Sequence, residues 1–405
     1  MKWIARIAFA LLVVLAAVVV ASYALLLGSL PRLDGTVEAR AGSGAQLRAP
    51  VTIERDALGI PTVRGASRAD VAYGTGFLHA QERFFQMDLS RRLAGAGLAE
   101  LFGEAAAGHD ASVRPFRFRE LAREVLRSAS PDEREIAAAY ARGVNAGLES
   151  LRSRPWEYWL LQRRPGEWRD EDTLLVVYAM WWDLQYEDWK REIVLRTVDA
   201  KLGGPVCASG WKCATEFFYP LRTEWDAPNG PSAPPAPFAM LAGVPPPEAL
   251  DLRGKPAPEV SAAMRTPERG DPIGSNNWAV AGRFTANRSA LVASDMHLTL
   301  RVPATWYRAR LIVAAGDHSE LELNGVTLPG APALVAGSNG DIAWAYTNSY
   351  GDWQDVARHP CDAAEAGVRV APAQAGQCWF VRWLAQAPGA TNLGMLSFER
   401  ARSVG

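Results

Sequence analysis

No Cys-x-x-Cys pair occurs in this chain, and its four cysteines stand as Cys207 with Cys213 and Cys361 with Cys378. A zinc site is therefore disfavoured, since the usual ligand spacing is absent and His359 is the only histidine near any of them. Four cysteines fit an oxidising compartment. Three connectivities are open to them, and local pairing, Cys207–Cys213 and Cys361–Cys378, is expected because each pair flanks a short loop. An excess of charge is lacking too. Lys and Arg number 43 against 44 Asp and Glu, so nothing in the balance points to nucleic acid. The basic cluster Arg152, Arg154, Arg163 and Arg164 has Glu157, Glu167, Asp170 and Glu171 nearby and reads as a solvated face. No internal repeat is visible.

What is present is apolar and aromatic: 49% hydrophobic residues and 15 tryptophans in 405 residues describe a globular chain with ample core for one large or two ordinary domains. Lys2 and Arg6 precede an uncharged apolar run over residues 7–27, longer than a signal-peptide core and close to the length of a spanning helix. A small-residue site around Ser22-Tyr23-Ala24 would permit cleavage, and a retained anchor is the other reading. Either implies export, with the short basic tail inside. The anchor is expected.

Periodicity predicts strands over residues 51–53 and 61–63, then a helix over 67–101 capped by Ser67. His79, between Phe77 and Phe84, reads as a satisfied core histidine. Further helices are predicted over 131–147, with Ser130 as cap, and over 171–202, carrying Trp181, Trp182 and Trp189. Residues 220–273 are proline-rich and aperiodic, a linker or spacer. Strand-like runs follow at 277–281, 290–293, 306–314, 333–336 and 342–346, with a hairpin turn at Ser338-Asn339-Gly340-Asp341. These patterns alone give an α+β fold with a β-rich C-terminal third.

The most informative stretch is Gly274-Ser275-Asn276-Asn277-Trp278, where the linker gives way to a strand. It lacks the second glycine of a Gly-x-Ser-x-Gly elbow. One reading is a polar turn. The other is chain cleavage before Ser275, which makes its own α-amine, with a reference pKa of about 7.7–8.0, the base for its hydroxyl. Gly274 on the acyl side removes crowding around the attacked carbonyl.

Two segments resemble the penicillin acylase family of N-terminal nucleophile hydrolases. Upstream, Val51-Thr52-Ile53-Glu54-Arg55-Asp56 leads into Gly76-Phe77-Leu78-His79-Ala80-Gln81-Glu82-Arg83-Phe84-Phe85-Gln86-Met87-Asp88-Leu89, Arg91-Arg92 and Gly97-Leu98-Ala99-Glu100-Leu101-Phe102-Gly103, similar to the opening of that family's α-chain. Downstream, Ser294-Asp295-Met296-His297-Leu298, then Gly337-Ser338-Asn339-Gly340-Asp341 and Thr347-Asn348, resemble the start of its β-chain. The resemblance covers residues 51–355 and leans to the cephalosporin acylase and acyl-homoserine lactone acylase branches, on the histidine of Asp295-Met296-His297-Leu298, where Met296 replaces a proline.

The resemblance implies an αββα sandwich, incomplete here because the chain stops early in the β-chain. It divides the chain into an N-terminal signal or anchor (1–28), an α-chain-like helical region (48–225), a linker (226–274) and a C-terminally truncated β-chain (275–405). It implies self-processing between Gly274 and Ser275, so that α and β chains arise from one precursor. The mature enzyme would hydrolyse small N-acyl amides, with Ser275 as nucleophile, His297 orienting it and the Asn348 backbone N–H as an oxyanion donor. The family's second donor would lie beyond residue 405. One structural calcium is implied, held by Asp352, Gln354, Asp355 and Asp188, with Glu187 as the neighbouring choice for the last. A noncatalytic remnant or interaction module is the competing expectation.

Overall fold

The computed structural model describes residues 2–38, 47–185, 189–190, 193–194, 274–298, 300–314, 320–348, 353–363, 367–373 and 376–404. Most of the linker, Cys207, Cys213, and the continuation of the predicted 171–202 helix beyond residue 185 lie outside these, apart from 189–190 and 193–194. The chain forms two compact units. One comprises Met1–Leu184, Pro272–Gly351 and Ala385–Gly405, the other Gln185–Asp271 and Asp352–Leu384.

In the first unit, helix α1 (Lys2–Gly28) is exposed along its length until Gly28. Strands β1 (Thr52–Arg55) and β2 (Pro61–Gly65) pair antiparallel, Asp56 bridging the turn by accepting from the N–H groups of Leu58 and Ile60. Helix α2 (Arg68–Ala94) starts at the predicted cap, where Ser67 Oγ accepts from the Asp70 N–H at 3.1 Å. It stops seven residues before the predicted end. Glycines at 95 and 97 are poor helix formers, and between them Ala96 takes a positive φ of 54°.

Short helices α3 (Ala99–Phe102), α4 (Glu104–Val113) and α5 (Phe118–Ser128) lead to α6 (Pro131–Glu149), which opens with a full capping box between Ser130 and Glu133. Helices α2 and α6 meet backbone to backbone. A Cβ on Gly143 would lie 2.0 Å from the Tyr73 carbonyl oxygen, and one on Gly76 2.3 Å from that of Tyr140. Only glycine permits that approach. Helices α7 (Trp156–Leu160) and α8 (Asp172–Gln185) follow.

Within the run Met87-Asp88-Leu89, Asp88 has a clear task. Asp88 is fully buried and accepts from Arg91 Nε at 2.7 Å, Arg92 Nε at 3.0 Å and the Tyr158 hydroxyl at 2.5 Å. Arg91 continues the network to Asp172, which also accepts from Arg119. Each buried charge is thereby matched by an opposite one.

Two β-structures belong to this unit. Strands β3 (Gly274–Val280) and β4 (Leu291–His297) form a two-stranded antiparallel hairpin. Strands β5 (Tyr307–Ala314), β6 (Glu320–Thr327), β7 (Leu334–Ser338) and β8 (Ala343–Trp344) join β1 and β2 in a six-stranded sheet of order β1-β2-β5-β6-β7-β8, in which β2 and β5 run parallel. The predicted hairpin at 338–341 is the β7–β8 turn. Asn339 there donates from Nδ2 to the carbonyls of Phe398, Glu399 and Ala401, tying the last residues to the sheet. Arg68 and Glu399, both buried, add an ion pair at 2.6 Å.

His79 is the core histidine expected. It is fully buried on α2, with Nδ1 2.7 Å from the Tyr140 hydroxyl and Nε2 2.9 Å from Thr327 Oγ1. Thr327 already donates to the Tyr307 carbonyl and Tyr140 oxygen already accepts the Gly330 N–H. One pattern satisfies all: Tyr140 donates to Nδ1 and Nε2–H donates to Thr327. Burial, with Arg83 nearby, pushes the imidazole down to about 3 and keeps it neutral.

The second unit, as far as described, contains strands β9 (Gln354–Pro360), β10 (Val368–Pro372) and β11 (Gln377–Trp383) in an antiparallel sheet of order β10-β11-β9. Cys361 and Cys378 form the expected disulfide, packed with Phe380 and Ala363. Mixed helices and sheets bear out the α+β class.

Candidate active site

The β3–β4 hairpin fixes the neighbours of Ser275. In the ladder Gly274 stands opposite His297, Ser275 opposite Met296, and Asn276 opposite Asp295. The Gly274–Ser275 bond therefore lies at the very start of a seven-residue strand, with every residue from Ser275 to Val280 paired to β4. Ser275 is partly buried, whereas Asn276, Asn277 and Trp278 are exposed.

Side chains alternate faces along a strand and cross-strand partners share one. Ser275 thus shares its face with Met296, while His297, Asp295 and Asn276 occupy the other. The contacts agree: His297 Nε2 is 2.9 Å from Asp295 Oδ2 and 3.5 Å from Asn276 Nδ2. The hairpin brings His297 next to the junction through the backbone and leaves its ring turned from the Ser275 hydroxyl. Asn348 lies after β8, outside any helix or strand, and is partly buried.

Of the residues proposed for calcium, Asp188 and Asp352 lie outside the described residues, as does Glu187. Asp355 is exposed on β9, opposite Arg382. Gln354 is buried; its Oε1 accepts from the Trp189 N–H at 2.8 Å, and its Nε2 has no partner among the described residues. Among the described residues no three His, Cys, Asp or Glu side chains come together to hold a metal. Among the described residues of the expected calcium set, Asp355 gives a single carboxylate.

Sequence reading missed a cleft of about 1040 Å³ in the first unit. Its walls are apolar, with Leu30, Phe84, Leu89, Val176, Met180 and Leu328 among them, and its polar edge carries Arg55, Glu82 and Arg83. Arg55 pairs with Glu82, which also accepts from the Tyr307 hydroxyl at 3.0 Å. Burial opposes the Arg55 charge, but Glu82 and Tyr307 beside it hold the guanidinium above its ordinary value. No local pattern announces this group: Arg55 and Glu82 come from different elements, and Tyr307 lies more than 200 residues further on.

Residues 50–377 match the family model for penicillin amidase, and the chain belongs to that family. It is 31% identical over 312 residues to acyl-homoserine lactone acylase QuiP of Pseudomonas aeruginosa, a match covering 76% of this chain and 34% of the relative. It is 30% identical over 340 residues to the penicillin acylase 2 proenzyme of a Pseudomonas species, covering 81% and 39%. Among solved structures it is similar to a thermostable penicillin G acylase from Alcaligenes faecalis, at 26% identity and a TM-score of 0.37, over 46% of this chain and 98% of that one. The chain spans between a third and two fifths of the length of these two curated relatives.

Proposed function

We propose that this protein is a self-processing acylase that hydrolyses N-acyl amides through Ser275, within the αββα sandwich of N-terminal nucleophile hydrolases. The observation that carries the reading is the position of the Gly274–Ser275 bond at the head of β3. Cleavage there frees an amine that the ladder to β4 keeps in place. Membership of the penicillin amidase family, whose matched region spans both sides of this bond, supports it.

In this reading Ser275 Oγ attacks the Gly274 carbonyl, the C–N bond breaks, and the Ser275 nitrogen leaves as an amine carrying the hydroxyl proton. Water then opens the ester. In turnover the freed amine takes the Oγ proton as Oγ attacks the substrate amide; the amine product leaves, and water releases the acid from the acyl-enzyme. The Asn348 N–H stabilises the oxyanion, a donor worth about 10²–10³ in rate. His297 positions the strand end through Asn276 and Asp295.

The α and β chains come from one precursor, a reading that the proenzyme name of one relative supports. Asp352, Asp355, the Gln354 carbonyl and Asp188 hold a structural calcium outside the chemistry. Helix α1 fits a signal sequence in its position and composition; retained, it anchors the protein on the outer side of a membrane. Purified protein incubated with a panel of N-acyl amides, including acyl-homoserine lactones and β-lactams, tests the activity. Release of free acid by the parent protein and none by Ser275→Ala is expected.

A further inference from the structure

We propose that the face built from α7 and residues 29–33 docks on an anionic lipid bilayer, beside the point where α1 ends. The inference rests on α1 lying in that bilayer, not on the acylase chemistry. Helix α1 has 27 residues, and an 18-residue window within it has a mean hydropathy of 2.8. At about 1.5 Å per residue it exceeds a hydrocarbon core of about 30 Å.

Its end is fastened to Ser153, in the segment that leads into α7. Gly28 is buried, its carbonyl accepts the Ser153 N–H at 3.0 Å, and a Cβ on it would come within 2.8 Å of Ser153 Cβ. Ser153 Oγ in turn accepts from Trp159 Nε1 at 3.0 Å, and the Arg154 guanidinium lies 3.8 Å over the Trp159 ring. The bilayer exit of α1 and the surface of α7 are thus one contiguous piece of protein.

That surface is unusually apolar for one facing water. Trp156 is 47% exposed, Trp159 41% and Leu160 74%, with Leu30 at 57% and Leu33 at 64% across the cleft mouth. Tryptophan with an apolar body and a polar N–H favours the headgroup layer. Around it stand Arg152, Arg154, Arg163 and Arg164, and among the described residues none of the four holds an ion pair. Of the acids that the sequence sets near them, Glu171 is engaged by Arg119 and Arg123, while Glu157 on α7, Glu167 and Asp170 stand in no ion pair with the four among the described residues. Unneutralised arginines beside exposed aromatics suit anionic lipid, attracted over a Debye length and then held by apolar contact. Since Leu30, Leu33 and Trp156 also line the cleft, docking puts its mouth at headgroup level, where an amphiphile enters from the leaflet.

The test uses the full chain, in detergent micelles and reconstituted in vesicles, with hydrogen–deuterium exchange read over residues 152–164. Exchange several-fold slower in vesicles containing phosphatidylglycerol than in micelles is expected, with a smaller effect in pure phosphatidylcholine. The double variant Arg163→Gln, Arg164→Gln should lose most of the difference while melting like the parent. Equal exchange in vesicles and micelles overturns the proposal, as does protection indifferent to phosphatidylglycerol. Protection already complete in micelles overturns it too, because polypeptide would then cover the face.

Discussion

His297 stands directly across the ladder from Gly274, yet its ring lies on the face of the hairpin opposite Ser275. A histidine so placed reaches Ser275 only through the backbone. It bridges Asp295 and Asn276, the residue next to Ser275, and so fixes the strand end on which the serine sits.

His297→Ala should therefore slow processing at Gly274–Ser275 by about tenfold to a hundredfold, the scale of a slightly misplaced reacting group. Asp295→Asn should act in the same direction and less strongly. Processing is followed by gel over time. A His297→Ala protein as inert as Ser275→Ala would show that the ring takes part in the chemistry directly.

The buried His79 network predicts a pH dependence. Its folded value of about 3 lies below the ordinary 6.5, so between these the unfolded chain binds more protons. Stability should then rise with pH in this window, by at most about 1.4 kcal/mol per unit from this group. The contribution is complete above about 6.5 and lost as pH falls towards 3. His79→Gln should flatten the denaturant-measured stability over that range. Tyr140→Phe should cost about 1–3 kcal/mol for each buried group it strands, the His79 Nδ1 and the Gly330 N–H.

Asp88→Ala leaves Arg91 and Arg92 without their shared carboxylate and should destabilise by about 3–5 kcal/mol. Asp88→Asn keeps the shape and some hydrogen bonds and should recover part of that loss. Thermal melts of the two variants at neutral pH decide it.

Chelation bears on the calcium proposal. If Asp352, Asp355 and Asp188 hold a structural ion, a chelator should lower the melting temperature or slow maturation without changing turnover by assembled enzyme. Metal analysis of well-folded protein that finds no calcium contradicts it and leaves the acylase reading standing.

Local signals in the sequence located much of this. Ser67 and Ser130 marked two helix starts because caps and capping boxes depend on a few adjacent residues. Asn339-Gly340 marked the β7–β8 turn for the same reason, and the spacing of Cys361 and Cys378 anticipated their bond. Strand β6 was missed because Glu320, Glu322 and Asn324 crowd it with residues rare in strands, and β11 because it is a central strand buried at four consecutive residues, Cys378 to Val381, which hides any alternation. At the candidate site, the residue types at 274–276 and 295–297 were legible, but the faces they occupy were not. A ladder register of one residue decides that. The cleft edge was invisible because it joins Arg55, Glu82 and Tyr307 only through tertiary packing.

The central claim is that the chain cuts itself before Ser275, and intact-mass measurement with N-terminal sequencing of the purified protein tests it most directly. The account predicts a fragment beginning Ser-Asn-Asn-Trp in the parent protein and an uncut chain in Ser275→Ala. A parent protein that stays whole, or a Ser275→Ala protein that is still cut at this bond, would contradict it.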